Sequence, residues 1–490
     1  MSKRASGGKK KRRAASARGG VRRGGVVVAK PKPSAAMKSI LPPTVRERME
    51  MGKKLRDRVP RHEHAKWKPG PHRHDPIALL HKSDIGRVAA LLPIRYGRMR
   101  NSAFAFYRGA AIVMAADLAT TPATGLRVQA CGDCHLLNFG GFGSPERRLV
   151  FDINDFDETL PAPWEWDVKR LAASVVLAGR FIGAKESMCG DAARATVASY
   201  RTRIREYARM RALDAWYSRM DAEIFTREAE AADDKKYWRE LEDAAMKQIA
   251  EYIFPRITTD VRGIRRIKDR PPLVFHPPEI ADIDSRVRKM FAQYRLTLPE
   301  ERRVILDRYR IVDIARKVVG VGSVGTRCDV ALLMAGEDDP LFLQFKEARD
   351  SVLAEYAGAS HYKNQGERVV TGQRMLQSAS DVFLGWTQDA EGRYYYFRQL
   401  RDMKMSFDLE GMSKSEWLEY VEICGWTLAR AHARTGDAAK IGGYLGKSDA
   451  FDDAIGEFAV AYADQTEKDH DTLLKAIRSG RVKAQRDARE

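Results

Sequence analysis

The chain has 490 residues, of which 44% are hydrophobic and 31% charged, a balance that excludes a membrane-embedded or wholly disordered protein and leaves room for two or three structural units. No apolar run is long enough to cross a bilayer, and the opening MSKRASGGKKKRRAASARGG has no apolar stretch to serve as a secretory signal, so a cytoplasmic protein without a membrane partner is expected. Residues 1–70 hold 22 Lys and Arg against 4 Asp and Glu, which is +18 of the chain's total of +20. The rest is close to neutral, so overall basicity does not argue for a nucleic-acid-binding fold.

Residues 1–60 are expected to form a disordered basic tail, because its first forty residues offer too little apolar surface to offset the entropy of ordering. Such a tail either solubilises the protein or binds a polyanion such as nucleic acid through phosphate contacts. The following HEHAKWKPGPHRHDP is rich in histidine, but Pro69, Pro71 and Pro76 mark it as a linker rather than a metal site. Five cysteines, with Cys131 and Cys134 spaced C-x-x-C, do not suit a disulfide framework, and no second ligand pair lies near to complete a zinc site.

From 84 to 119 apolar residues recur at helical spacing, with Phe104, Tyr107, Ala111, Met114, Ala115 and Leu118 on one face. Arg95, Arg98, Arg100 and Arg108 read as a solvated face of this run, with a substrate-phosphate clamp as the alternative. Residues 126–131 and 148–153 suit strands and enclose the glycine-rich GDCHLLNFGGFGSPE. Amphipathic helices fill 164–250; Asp167 is a candidate cap, and Arg170 a candidate partner for the acidic loop. The domain expectation is a mainly helical part over 61–310, a β-sheet part over 311–405, and C-terminal helices over 406–490 that pack on the helical part.

Asp133 is followed five positions on by Asn138, the arrangement of phosphotransferase catalytic loops. There the carboxylate acts on the attacking hydroxyl and the amide oxygen reaches a metal ion. Gly132 permits a tight turn, and His135 is placed to brace the loop. FDINDFDE then supplies Asp152, Asp155 and Asp157. The expected Mg²⁺ ligands are Asn138, Asp152 and Asp155, since Mg²⁺ takes one or two carboxylates and leaves room for phosphate oxygens.

Gly320, Gly322 and Gly325, with Ser323 between them, form a G-x-G-x-x-G. The strand-like CDVALLM follows, where a dinucleotide fold would need a helix, so the loop suits a kinase-type cover over ATP phosphates. Lys346 lies in the apolar run LFLQFKEA, where a lysine needs anionic partners. Glu367 is the candidate carboxylate and Glu355 its competitor. The glycine loop follows the Asp133 loop by about 180 residues, the reverse of kinase order, which a circular permutation reconciles. Asp437 would restore normal order, but position 442 is Gly rather than Asn.

CGDCHLLNFG, VFDINDFDETLPAPWEWDVKRLAAS, ARKVVGVGSVGTRCDVALL, LQFKEARDSVL and VVTGQRMLQSASDVFLGW resemble the bacterial domain of unknown function 2252 over roughly residues 60–470. That family in turn resembles the protein-kinase-like and aminoglycoside-phosphotransferase superfamily, whose G-D-x-H-x-x-N loop is similar to GDCHLLN. The resemblance implies an α+β, kinase-like two-lobed fold, circularly permuted. It also implies ATP and Mg²⁺ as cofactors, Asp133 as catalytic base, and Asn138 and Asp152 as metal ligands. The expected function is phosphoryl transfer to an unidentified hydroxyl substrate. The rivals are nucleotidyl transfer to protein by the same site, and a nucleotide-binding pseudoenzyme or scaffold.

Overall fold

The computed structural model describes residues 42–229, 232–278, 280–400 and 403–485. Residues 1–41, on which the expected disorder and polyanion binding mainly rest, lie outside the described residues. The remainder of the assigned tail requires a correction. Helix α1 (Val45–Lys54) begins with a capping box in which Thr44 Oγ1 accepts from the Glu47 N–H and the Glu47 carboxylate accepts from the Thr44 N–H. His64, expected in a linker, is buried with its ring against Tyr444 and Phe451.

Asp75 caps α2 (Pro76–Asp84), which has proline in its first turn. The expected helical run from 84 to 119 is broken into α3 (Leu92–Met99), α4 (Ala103–Gly109) and α5 (Ala111–Leu118). Ser102 Oγ caps the Ala105 N–H and so starts a new helix, while Ala110 leaves helical geometry at φ −116° and ψ 36°. Strands β1 (Arg127–Ala130), β2 (Phe139–Gly143), β3 (Leu149–Ile153) and β4 (Leu160–Pro163) form two antiparallel pairs, β1 with β4 and β2 with β3. Helices α6 (Trp164–Phe181) and α7 (Glu186–Tyr207) follow.

Helix α8 (Ala250–Ile257) leads into a hairpin of β5 (Thr258–Val261) and β6 (Ile264–Ile267), then β7 (Val274–Phe275) and α9 (Ile280–Leu296). The main sheet adds β8 (Arg310–Lys317), β9 (Cys328–Met334) and β10 (Pro340–Ala348). After α10 (Gln365–Leu376) come its last strands, β11 (Gly385–Gln388) and β12 (Tyr394–Gln399). The six strands lie antiparallel in the order β11-β12-β10-β9-β8-β7. Side chains alternate between its faces. Leu341, Leu343 and Phe345 meet Val287, Met290 and Tyr294 of α9, whereas Phe342, Val330 and Leu332 meet Ile253 and Phe254 of α8. The segment 250–306 therefore packs on the sheet, which corrects its assignment to the helical part: its apolar residues cover the two faces of β8–β10.

The chain closes with α11 (Lys414–Thr435), α12 (Ala438–Leu445) and α13 (Ala450–Arg478). Helices α11 and α13 pack against α6 and α7 around one large core that includes Trp164, Trp417 and Phe458. Asp437, the rival catalytic residue, is spent as the N-cap of α12 and pairs with Arg48 of α1. Among the described residues no helix is long and apolar enough to cross a membrane.

The α1–α12 crossing has glycine on both sides: a Cβ at Gly52 would stand 1.9 Å from the Lys440 carbonyl oxygen, and one at Gly443 would stand 2.1 Å from that of Met49. Gly443→Ala should push the helices apart and cost about 1–3 kcal/mol, as overpacking does, measured by urea denaturation. Removing residues 1–60 should likewise lower Tm, because α1 is part of the fold.

Candidate functional site

One cleft joins the two motifs that the sequence holds far apart. Asp133, His135, Asn138, Asp155, Asp157 and Glu158 line one wall, and Gly320, Val321, Gly322 and Ser323 another, around roughly 1000 Å³ of space partly open to solvent. Arg87, Arg95, Arg108 and Arg349 also line it.

The loop carrying Asp133 runs from the end of β1 into β2 and is held from behind. Gly132 has φ +85°, and a Cβ there would stand 2.3 Å from the Glu158 carbonyl oxygen, so only glycine fits. Asp167 does not cap its own helix as expected. It accepts the N–H groups of Cys131 (2.7 Å) and Gly132 (3.0 Å) and meets His432 at 3.2 Å. Ser174 Oγ accepts the Leu136 N–H, and Tyr420 donates its hydroxyl to the Leu136 carbonyl. Asn138 Nδ2 donates to the Asp133 carbonyl at 2.6 Å, which fixes the amide across the loop.

Arg170 grips Asp133 through Oδ1, with both Nε (2.7 Å) and Nη2 donating to that oxygen. Burial raises the Asp133 pKa, and Arg170 opposes this without cancelling it. His135 braces the loop through its backbone, its N–H donating to the Asp133 carbonyl at 2.8 Å. Burial, then Arg108 and Arg170, hold its imidazole well below the usual histidine range, so the ring is neutral. The buried Nδ1 has no partner among the described residues.

Asp152 is where the sequence expectation fails. It is 0% exposed, and it accepts from Arg430, which is equally buried, and from the Ser378 N–H (2.9 Å) and hydroxyl (3.1 Å). It does not line the cleft: from β3 it reaches toward α11 and the end of α10. Asp155 lies beyond the strand, where the chain turns into the cleft, and its side chain is 35% exposed.

Lys346, on β10 and 2% exposed, shares a sheet face with Phe342 and reaches the acidic loop rather than α9. Its Nζ pairs with Asp157 Oδ2 and lies 3.7 Å from Asp155 Oδ2. Tyr396, opposite it on β12, donates to Asp157 Oδ1 at 2.9 Å. Burial disfavours charge on both Lys346 and Asp157, but their mutual attraction outweighs it, raising the lysine pKa and lowering the aspartate's. Glu367 is therefore not the partner of Lys346. The adjacent Arg368, about 100° around α10, is the residue turned to this loop, donating to the carbonyls of Asp157 and Thr159. Glu355 is also excluded, because it pairs with Lys82 at the surface.

The glycine loop lies between β8 and β9, with φ +63° at Gly320 and +91° at Gly325. Gly320, Gly322 and Ser323 line the cleft, whereas Gly325 packs against Arg87. The reading of the early arginines as a solvated face is corrected: Arg95 and Arg98 are buried, and Arg95 and Arg108 line the cleft. Helix periodicity could not reveal this, because it does not show what covers a polar face. Asp157 and Glu158 were also missed as functional residues, although both stand in the quoted acidic motif. Among the described residues no group of three or more His, Cys, Asp or Glu side chains forms a ready metal cage.

Two tests separate these roles. Asp152→Ala should cost about 3–5 kcal/mol by stranding a buried arginine, and by the same amount with and without Mg²⁺; a loss that grows with Mg²⁺ would restore a metal role. Burial raises the Glu158 pKa from 4.5 to about 7, against the Val352 N–H that it accepts. A raised carboxyl pKa gives stability that is complete below the unfolded value and is lost as pH rises through the folded one. Between about pH 4.5 and about pH 7 the wild type should therefore lose more Tm than Glu158→Gln.

No curated protein and no solved structure matches the chain. Residues 87–476, which include every cleft residue named above, match a family described as an uncharacterized protein conserved in bacteria. The chain belongs to that family, DUF2252.

Proposed function

We propose that the cleft binds ATP with Mg²⁺ and transfers a phosphoryl group to a hydroxyl acceptor, within a circularly permuted kinase-like fold. The observation that carries this reading is the meeting of Asp133, Asn138, Asp155 and Asp157, the last of them paired with Lys346, with the glycine loop at one cleft. Strand, glycine loop, strand, lysine strand and helix follow one another from β8 to α10, the succession of a kinase-type nucleotide cover.

Each residue then has a physical task. Arg170 occupies Oδ1 of Asp133 and fixes the carboxylate, leaving Oδ2 to orient and deprotonate the acceptor hydroxyl. The Asn138 amide oxygen and the Asp155 carboxylate would hold Mg²⁺, which needs few protein ligands when phosphates complete its shell. When bound, the ion neutralises charge on the phosphates. Lys346, kept charged by Asp157 and Asp155, supplies a fixed cation for phosphate oxygens. Transfer of this kind is mostly positioning and electrostatics, which suits a site whose charged groups are already braced.

Millimolar Mg-ATP should raise Tm, since a ligand that binds only the folded state adds about 2.7 kcal/mol at a hundred times its Kd. Lys346→Met should abolish most of that rise. Asp133→Asn should keep the rise but lower turnover by about 10²–10⁴-fold, read as ADP release with candidate acceptors. A wild type unmoved by Mg-ATP would refute the reading.

A further inference from the structure

The glycine loop is tied down through its carbonyl oxygens. Arg98 Nη1 donates to the Gly320 carbonyl at 2.5 Å. Arg87 Nη1 donates to the carbonyls of Gly322 (2.8 Å) and Val324 (2.7 Å), and the Val88 N–H donates to that of Gly325 (2.7 Å). Arg87 is itself fixed, with Nε donating to the Ser83 carbonyl at 2.9 Å. Four loop carbonyls thus accept from the short segment 87–98, which stands before the Asp133 loop in sequence. The contact is close as well as polar: a Cβ on Gly322 would stand 2.9 Å from the Arg108 carbonyl oxygen, and one on Gly325 would stand 3.1 Å from Arg87 Cβ.

In a trans peptide the C=O of one residue and the N–H of the next point in opposite directions. Turning the carbonyls of Gly320, Gly322 and Val324 onto arginines therefore turns the N–H groups of Val321, Ser323 and Gly325 the other way. Val321 and Ser323 are cleft-lining residues. A loop that met a polyphosphate with its carbonyls would repel it, whereas one that meets it with successive N–H groups forms an anion-binding concavity. Gly320 and Gly325, both at positive φ, permit the alternation that this requires.

We infer that Arg87 and Arg98 are positioning residues, which hold the glycine loop with its N–H groups toward the cleft so that it selects a ligand carrying a polyphosphate. This rests on the function proposed above and adds to it the device that sets the loop's polarity. Arg98 is not among the residues that line the cleft, whereas Arg87 is, so Arg98→Met reports on positioning apart from ligand contact. A lysine at 87 keeps a cation that reaches the loop carbonyls but has no counterpart of the Nε that donates to the Ser83 carbonyl, so it is not held in place as the arginine is.

The test is calorimetric affinity of the full chain for Mg-ATP and for adenosine, in wild type, Arg87→Met, Arg87→Lys and Arg98→Met, with unliganded Tm recorded for each. The expected result is a tenfold or greater loss of Mg-ATP affinity in the methionine variants, adenosine affinity within twofold of wild type, and partial recovery in Arg87→Lys. General misfolding would weaken both ligands together, so the ratio of the two affinities separates positioning from collapse. A variant too unstable to assay is replaced by Arg87→Lys, whose ATP-to-adenosine ratio must then fall. If wild type binds Mg-ATP and the ratio is unchanged in every variant, the inference is overturned and the function stands. If wild type binds no nucleotide, the function falls and takes the inference with it.

Discussion

A lysine buried in a strand must find an anion, and in this protein it finds one on another part of the fold. Lys346 leaves the face of β10 and pairs with Asp157, while Tyr396 holds the other oxygen of that carboxylate. Desolvation of such a pair is costly, and mutual attraction offsets it only with good geometry and further hydrogen bonds. Those bonds are present. Arg368 takes the Asp157 carbonyl, and Arg398, on the same sheet face as Lys346, donates to the Asn154 carbonyl. The sheet and the acidic loop are thereby fixed against each other, and the cleft between them has defined walls.

A second set of buried polar contacts fixes the loop of Asp133. Asp167 collects two backbone N–H groups and is met in turn by His432, whose other ring nitrogen meets the Tyr200 hydroxyl at 2.9 Å. This chain runs from the loop through α6 and α11 to α7, within the large helical core. Buried polar groups satisfied in this way specify one arrangement of the loop, because any other leaves a donor unpaired. The ion pair of Asp152 with Arg430 ties β3 to α11, which explains why a carboxylate in the acidic motif has no place in the cleft.

Under the kinase-like fold proposed above, one pairing differs from the kinase pattern. There the lysine of the third strand pairs with a glutamate on the following helix. Here the helix turns Arg368 toward the loop, and the lysine takes its carboxylate from the acidic loop instead. The consequence is electrostatic. Lys346 is a cation shared between the sheet and the residues proposed for metal and phosphate, so a change in either is felt by the other.

Several local elements and the chemical inventory were legible in the order of residues alone. The strands expected at 126–131 and 148–153 form at 127–130 and 149–153, because periodicity and glycine act over a few residues. The spacing of Asp133 and Asn138, and the glycines from 320 to 325, could be found for the same reason. Tertiary structure alone decided which carboxylate does what. Asp152, Asp155 and Asp157 are alike in sequence, and only the arrival of Arg430 at one and Lys346 at the others tells them apart. It also decided that Thr44–Lys54 is helix packed on α12 rather than tail, and that Arg87 and Arg98 turn inward to the glycine loop. The physical reason is common to these cases: a charge is cheap in water and costly when buried, and pairing over long sequence separation is what makes burial tolerable.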